Sequence, residues 1–130
     1  MKTSKATDFQ IKGLDHIQLA MPAGQETVAR EFYVKILGLI EVPKPANLAK
    51  RGGVWFEGGT ARLHLGVESD FRPSRKAHPA FLVQHLDSFT QHLHQSGIEV
   101  INDEPLEGYK RIYISDPFGN RIELLEPIPA

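Results

Sequence analysis

Two short stretches of this 130-residue chain resemble each other and decide its fold: LGLIEV at residues 37–42 and SGIEVI at residues 96–101. Each follows a segment with helical periodicity and contains a glycine of the kind that ends helices. The same order of predicted elements surrounds both stretches, namely strand, helix, strand, strand and strand. The sequence therefore predicts an internal duplication of the α+β class, whose two similar sheets pack on each other or across a dimer.

The duplication divides the chain into a polar tail (1–10), a first βαβββ module (11–67), a charged linker (68–76) and a second βαβββ module with the C-terminal tail (77–130). In the first module we predict a strand ending at Met21, a helix over 25–37 and a hairpin that turns at residues 58–59. In the second module we predict a strand at 78–83 and a helix capped by Asp87 or Ser88. Extended structure at 98–101 and a hairpin that turns at 116–120 complete the second module.

Composition excludes several classes of protein. Lys and Arg number 15 against 16 Asp and Glu, so a formal net charge of −1 gives no general attraction to nucleic acid or anionic lipid. No stretch approaches the roughly 20 apolar residues of a membrane span, and we expect a cytoplasmic protein. The chain has no Cys, which excludes disulfides and a thiolate nucleophile. A thiol in the reaction would have to come from a cosubstrate.

Four potential metal ligands occupy positions that the duplication relates to each other. His64 follows His16 by 48 residues, and Glu123 follows His78 by 45. A two-fold relation between the modules would bring all four side chains to one axis. A lone histidine on a strand is usually an ordinary half-exposed residue, but this donor set suits one divalent ion of zinc, nickel, iron or manganese. The other three histidines have no such relation, and we predict that they lie on the surface.

Five further residues are predicted to contact a substrate. Gln18 lies two residues after His16 and hence on the same face of a strand. Trp55 and Phe56 alternate, so one of them points into the site and the other packs against a helix. Tyr109 and Arg111 precede the last hairpin, where they could bind an anionic or carbonyl group. For Gln18 and Arg111, an ordinary solvent-exposed role is the alternative.

The chain resembles the vicinal oxygen chelate superfamily, which includes glyoxalase I, extradiol dioxygenases, fosfomycin resistance proteins and bleomycin-binding proteins. The resemblance covers residues 14–127 and rests on LDHI at 14–17, FY at 32–33 followed by LGL at 37–39, His78, and DPFGNRIEL at 116–124. It implies two βαβββ modules that form a cup-shaped mixed sheet around one divalent metal, usually in a homodimer. His16, His78 and Glu123 match the three commonest ligand positions, and His64 matches the fourth, where glyoxalase I typically carries Glu.

The resemblance implies a metal-dependent lyase or isomerase that acts on a small substrate through two adjacent oxygens. We expect glyoxalase-like isomerisation first, with His64 and Glu123 as the groups that move the proton. Extradiol dioxygenase and fosfomycin-type thiol transfer are alternatives within the superfamily. The alternative to an enzyme is a ligand-binding protein of the bleomycin resistance type, which needs no metal. The sequence leaves open whether the cup forms within one chain or is shared across a swapped dimer.

Overall fold

The computed structural model describes residues 8–129, which form two mixed sheets. The first sheet, in the order β1-β4-β3-β2, consists of β1 (Ile17–Met21), β2 (Ile40–Val42), β3 (Val54–Gly58) and β4 (Ala61–Val67). The second sheet, in the order β5-β7-β6, consists of β5 (Ala80–Leu82), β6 (Tyr109–Ser115) and β7 (Arg121–Pro127). In each sheet the first strand pairs in parallel with the last, and the other pairs are antiparallel. The α+β class with two mixed sheets is confirmed. Residues 1–7 of the expected tail and residue 130 lie outside the described part.

Two of the helical segments lie where the periodicity predicts them, while a short turn of helix at 46–49 lies in a stretch expected to be a loop. Helix α1 (Glu26–Arg30) continues as a π-helical segment (Glu31–Ile36), α2 is a single turn (Ala46–Ala49), and α3 covers Leu86–Gln95. The π-helical segment is capped by Leu37 and followed by Gly38, whose φ of 80° suits a residue without a side chain. Beyond it the Leu39 amide donates to the Tyr33 carbonyl over 2.9 Å, which satisfies a carbonyl of the last turn.

Alternation along the strands assigns one face of each sheet to the core. The buried side chains of the first sheet are Leu19, Met21, Val54, Phe56, Leu63 and Leu65, and those of the second include Ile112, Ile114, Ile122 and Leu124. The opposite faces carry the other predicted site residues of these strands, because neighbours in a strand point to opposite sides.

Two features of the second module differ from the sequence-based expectation. Residues 98–101 were expected to form a strand, but they contribute only one isolated bridge, between Ile101 and Tyr113. The polar loop that follows contains Pro105, which has no amide hydrogen for a sheet, so the pairing is not continued. Neither Asp87 nor Ser88 caps α3. The N-cap position is His85, and the Glu126 carboxylate of β7 accepts the amide hydrogens of both His85 and Leu86. A distant residue thus caps the helix.

The turn at residues 116–120 joins the two modules through buried hydrogen bonds. The Asp116 carboxylate accepts the Tyr33 hydroxyl over 2.7 Å and the Asn120 amide over 2.8 Å. The Asn120 side chain in turn donates to the carbonyl of Ala20 in β1 over 2.9 Å and accepts the backbone amide of Ser74. This network explains why the turn needs both a carboxylate and an amide, and it fixes the start of β7, where Glu123 lies.

Candidate functional site

His78 and Glu123 meet on the face of the second sheet that lies opposite the core. β7 lies parallel to β5, and the Glu123 amide donates to the Pro79 carbonyl over 3.0 Å, which brings His78 beside the carboxylate. His78 Nε2 lies 3.0 Å from Glu123 Oε1, and His78 Nδ1 lies 2.9 Å from the carbonyl oxygen of Lys76. The predicted contact between these two residues, which are 45 positions apart, is therefore present within one chain.

The hydrogen bonds of His78 favour a cation at this pair. The Lys76 carbonyl can only accept, so Nδ1 carries a proton, and Nε2 is the nitrogen that faces Glu123. An ionised carboxylate is also an acceptor, and this one is nearly buried, at 6% exposure. A proton on Nε2 makes this contact a hydrogen bond, and a bound divalent ion would take the place of that proton. A backbone carbonyl that holds the far nitrogen of a histidine is the usual arrangement around a metal ligand, so the residues fit a divalent ion.

Arg111 and Tyr113 complete the surroundings of Glu123. Arg111 Nη1 lies 3.4 Å from Glu123 Oε2 and donates to the Tyr113 hydroxyl over 2.8 Å. Tyr113 is opposite Glu123 in the β6–β7 register, is 5% exposed, and contacts the His78 ring edge-on at 5.3 Å. Sequence reasoning missed Tyr113, although its spacing of two residues from Arg111 placed it on the same face of the strand.

The first sheet carries a column of three stacked rings. Trp55 lies opposite His64 in the register, their ring centroids are 3.8 Å apart and their planes differ by 1°. His16 stacks on the other side of His64 at 4.1 Å and 20°. Phe56 is fully buried in the core. The expectation that Phe56 contacts a substrate is corrected, because alternation turns Trp55 rather than Phe56 toward the predicted site.

Charges around the column act on the His64 ring and on Asp15. Partial burial, followed by the nearby His16, lowers the pKa of His64 below its ordinary value, and the carboxylates of Asp15 and Glu57 oppose this shift. The pKa of Asp15 is lowered mainly by its hydrogen bond with His16, and also by the charge of Arg62. His16 Nδ1 lies 3.0 Å from Asp15 Oδ2, which leaves Nε2 of His16 available to a ligand.

The remaining predicted substrate residues differ in their accessibility. The Gln18 amide lies across Gly66 of β4, where a Cβ atom would come within 2.5 Å of Nε2, so this glycine makes room for it beside His64. Tyr109 is 38% exposed at the start of β6. Arg111 is half-buried, and most of its donors are already bound within the chain.

The four predicted ligands thus form two pairs on two different sheets. Among residues 8–129, no three His, Asp or Glu side chains lie close enough together to hold one metal ion. In the first pair the His16 and His64 planes are nearly parallel, so their in-plane lone pairs do not converge on one point. His78 and Glu123 are the pair whose geometry already suits a shared cation.

A cleft of about 620 Å³ is lined by residues at the start of β1, by residues of β5, by residues 37–39 and by the turn between β3 and β4. His16 and Ile17 line it on one side, and Phe81 and Leu82 line it on the other. Both strands are at the end of their sheets in the described part of the chain, so their outer backbone groups have no partner strand there. Within residues 8–129, no helix has the length and apolar character needed to cross a membrane.

Residues 13–124 match the family model of the Glyoxalase/Bleomycin resistance protein/Dioxygenase superfamily. Because this match spans most of the chain, the protein belongs to that superfamily. No protein among the curated sequences matches the chain significantly.

Solved structures give the same fold. A protein from Bacillus anthracis that is assigned to the glyoxalase family is 49% identical, and the alignment covers 94% of this chain and 100% of that one with a TM-score of 0.90. The fosfomycin resistance protein FosX from Listeria monocytogenes is 23% identical over 88% of this chain and 91% of its own, with a TM-score of 0.70. TnmS3, an antibiotic binding protein from a Streptomyces species, is 20% identical over 92% and 99%, with a TM-score of 0.71. At these identities the last two show a shared fold alone.

Proposed function

We propose that this protein is a divalent-metal-dependent enzyme that acts on a small substrate through two adjacent oxygens, with glyoxalase-like isomerisation as its reaction. The observation that carries the proposal is the contact between His78 Nε2 and Glu123 Oε1, 3.0 Å apart, with the far nitrogen of His78 held by a backbone carbonyl. Members of this superfamily commonly use a divalent metal, which agrees with that donor set. Zinc, nickel, iron and manganese all suit it.

In this proposal His78, Glu123 and His16 hold the ion, which when bound polarises a substrate oxygen as a Lewis acid. His64 takes a proton from the substrate carbon and returns it to the adjacent carbon. Its lowered pKa supports this role, because a ring that is neutral near neutral pH can accept a proton. Gln18 and Trp55 lie beside His64 on the same face and contact the substrate. Glu123 is a ligand and a second proton acceptor.

We further propose that the site is shared between two copies of the chain. His16 and His64 are on one sheet and His78 and Glu123 on another, so a second copy would bring one pair to the other. The unpaired outer edges of β1 and β5 support this assembly, as does the 72% exposure of Leu82 on β5. A thiol cosubstrate and a cytoplasmic location stay predictions from the sequence.

Metal binding by the purified protein tests the proposal. We expect the wild type to take up about one zinc per site, and His78→Ala and Glu123→Gln to weaken the affinity at least tenfold, because each removes one ligand. His94→Ala, in an exposed position on α3, is the matched control and should bind zinc as the wild type does. Equal zinc affinity of the wild type and His78→Ala would refute the proposal.

The reaction type is tested with metal-loaded protein. Isomerisation of a hemithioacetal by the zinc or nickel form would support the glyoxalase-like reaction. Oxygen uptake with a catechol by the iron or manganese form would instead support a dioxygenase. Transfer of a thiol to fosfomycin would support the third alternative.

A second candidate function, ligand binding without metal, is favoured by the ring column. Trp55, the single tryptophan of the chain, stacks on His64 and provides a flat aromatic surface for a planar ligand. Binding of a planar antibiotic should then quench the Trp55 fluorescence equally in the wild type and in His78→Ala. Quenching that requires bound metal would contradict this second candidate.

A further inference from the structure

We infer that Arg111 is a positioning residue that fixes the Glu123 carboxylate from the side opposite His78, rather than a residue that contacts substrate. This inference rests on the proposed function, in which Glu123 is a metal ligand. Three observations carry it: the partners that occupy the Arg111 guanidinium, the division of the two Glu123 oxygens between neighbours, and the attachment of the loop 102–108.

The donors of Arg111 are largely occupied within the chain. A guanidinium has five N–H donors. Nε and Nη2 donate to the Glu104 carbonyl over 3.3 and 2.7 Å, and Nη1 donates to the Tyr113 hydroxyl over 2.8 Å and reaches Glu123 Oε2 at 3.4 Å. Four of the five donors are therefore engaged, and the side chain is 18% exposed. A substrate would have to displace these bonds to be bound by Arg111.

The two oxygens of Glu123 have separate partners. Oε1 faces His78 Nε2 and Oε2 faces Arg111, and the side chain of Glu123 is 8% exposed. With Oε2 held by a cation that is always charged, Oε1 is the oxygen left for a metal ion. Arg111 thus selects the carboxylate orientation in which Oε1 points at Nε2 of His78. A contact of this kind raises metal affinity, because the Glu123 carboxylate is already held in the orientation in which it would bind the ion.

The orientation of Arg111 depends on the loop 102–108. The Glu104 carbonyl holds one side of the guanidinium, while Asp103 lies 3.6 Å from Arg121, whose own guanidinium covers the Tyr113 ring at 3.9 Å. Two arginines of the sheet therefore bind successive residues of the loop. The bonds from Glu104 through Arg111 to Glu123 connect the loop to the proposed metal site.

The test compares zinc affinity, measured by competition with a chromophoric chelator, among single variants of the full chain. Arg111→Met should bind zinc 10- to 100-fold more weakly than the wild type, the usual effect of losing an outer-shell partner. Arg111→Lys should also bind more weakly, because an ammonium group cannot contact Glu104, Tyr113 and Glu123 at once. Tyr113→Phe removes one acceptor of Arg111 and should fall between the wild type and Arg111→Met. Arg30→Met, which removes an arginine paired with Glu41 away from the site, is the matched control and should not change the affinity.

Urea unfolding of the metal-free variants separates positioning from folding, because a purely structural role would change stability without changing the zinc affinity of the folded protein. If Arg111→Met does not fold, the zinc affinities of Arg111→Lys and Tyr113→Phe are compared with that of the wild type instead. Wild-type affinity in all three variants, with His78→Ala impaired, would overturn this inference alone. Wild-type affinity in His78→Ala as well would overturn the proposed function and this inference together.

Discussion

Replacing Tyr33 with Phe removes a buried hydrogen bond that joins the two modules. Tyr33 is fully buried in the π-helical segment of the first module, and its hydroxyl donates over 2.7 Å to Asp116, which is 4% exposed at the turn before β7. The substitution deletes one oxygen atom and leaves the ring. The measured loss therefore reports the hydrogen bond rather than a large cavity.

The expected loss follows from the charge of the acceptor. A hydrogen bond to a charged group contributes about 1.5–3 kcal/mol. Asp116 keeps its bonds from the amides of Phe118 and Asn120 and from the Asn120 side chain, so it is not left unpaired. We therefore expect Tyr33→Phe to lower the free energy of unfolding by about 2 kcal/mol. For a domain of this size that corresponds to about 7 °C in the melting temperature.

The same substitution has a pH signature. Burial, together with the carboxylate of Asp116, raises the pKa of Tyr33 well above its ordinary value of 10.0. The unfolded chain releases the phenolic proton above that value while the folded chain keeps it, so this contribution is complete below pH 10 and is lost as the pH rises further. The difference in stability between the wild type and Tyr33→Phe should therefore shrink above pH 10.

Urea unfolding followed by circular dichroism measures both effects. Tyr109→Phe is the matched control, because Tyr109 is 38% exposed, and it should leave the stability within about 0.5 kcal/mol. A loss below about 0.5 kcal/mol for Tyr33→Phe would refute the reasoning that this bond joins the modules. If the difference in stability between the wild type and Tyr33→Phe does not change above pH 10, the predicted effect of Tyr33 ionisation on stability is refuted.

Two further predictions concern backbone positions and the helix cap. Gly53→Ala should prevent stable folding or lower the free energy of unfolding by more than about 3 kcal/mol, because φ is +86° and a Cβ atom would overlap the carbonyl oxygen of Leu65. Gly59→Ala is the control: φ is +55° and the space around it is open, so it should lower that free energy by only about 1 kcal/mol in the same thermal melts. Glu126→Gln should lower the melting temperature at neutral pH, because the Glu126 carboxylate accepts the Leu86 and His85 amides at the start of α3. Those bonds lower the pKa of Glu126 below its ordinary 4.5. The difference in melting temperature between the wild type and Glu126→Gln should therefore be complete above pH 4.5 and disappear as the pH falls below it. A difference that persists in acid would contradict this cap.

Local patterns were sufficient for most elements of the fold. Alternation predicted β3 and β4 with their turn at Gly58 and Gly59, and helical periodicity predicted the segment that ends at Gly38, because both depend on the residues of one element. Of the strand expected at 98–101, only one bridge to β6 forms, because a longer pairing would require the residues after Ile101 to lie along β6 as well. The start of α3 was misplaced because its cap comes from Glu126, on a strand that follows much later in the chain.

The sequence by itself determined the α+β class and the type of ligands available, and it predicted the duplication, since repeats and residue types are properties of the chain alone. The six histidines and the absence of cysteine limit any metal to imidazole and carboxylate. Only the tertiary structure decided that His78 and Glu123 meet within one chain, that His16 and His64 stack elsewhere, and that Arg111 is occupied by its neighbours. These contacts depend on the register between strands far apart in sequence, and alternation within a strand specifies a face but not the partner that lies opposite it.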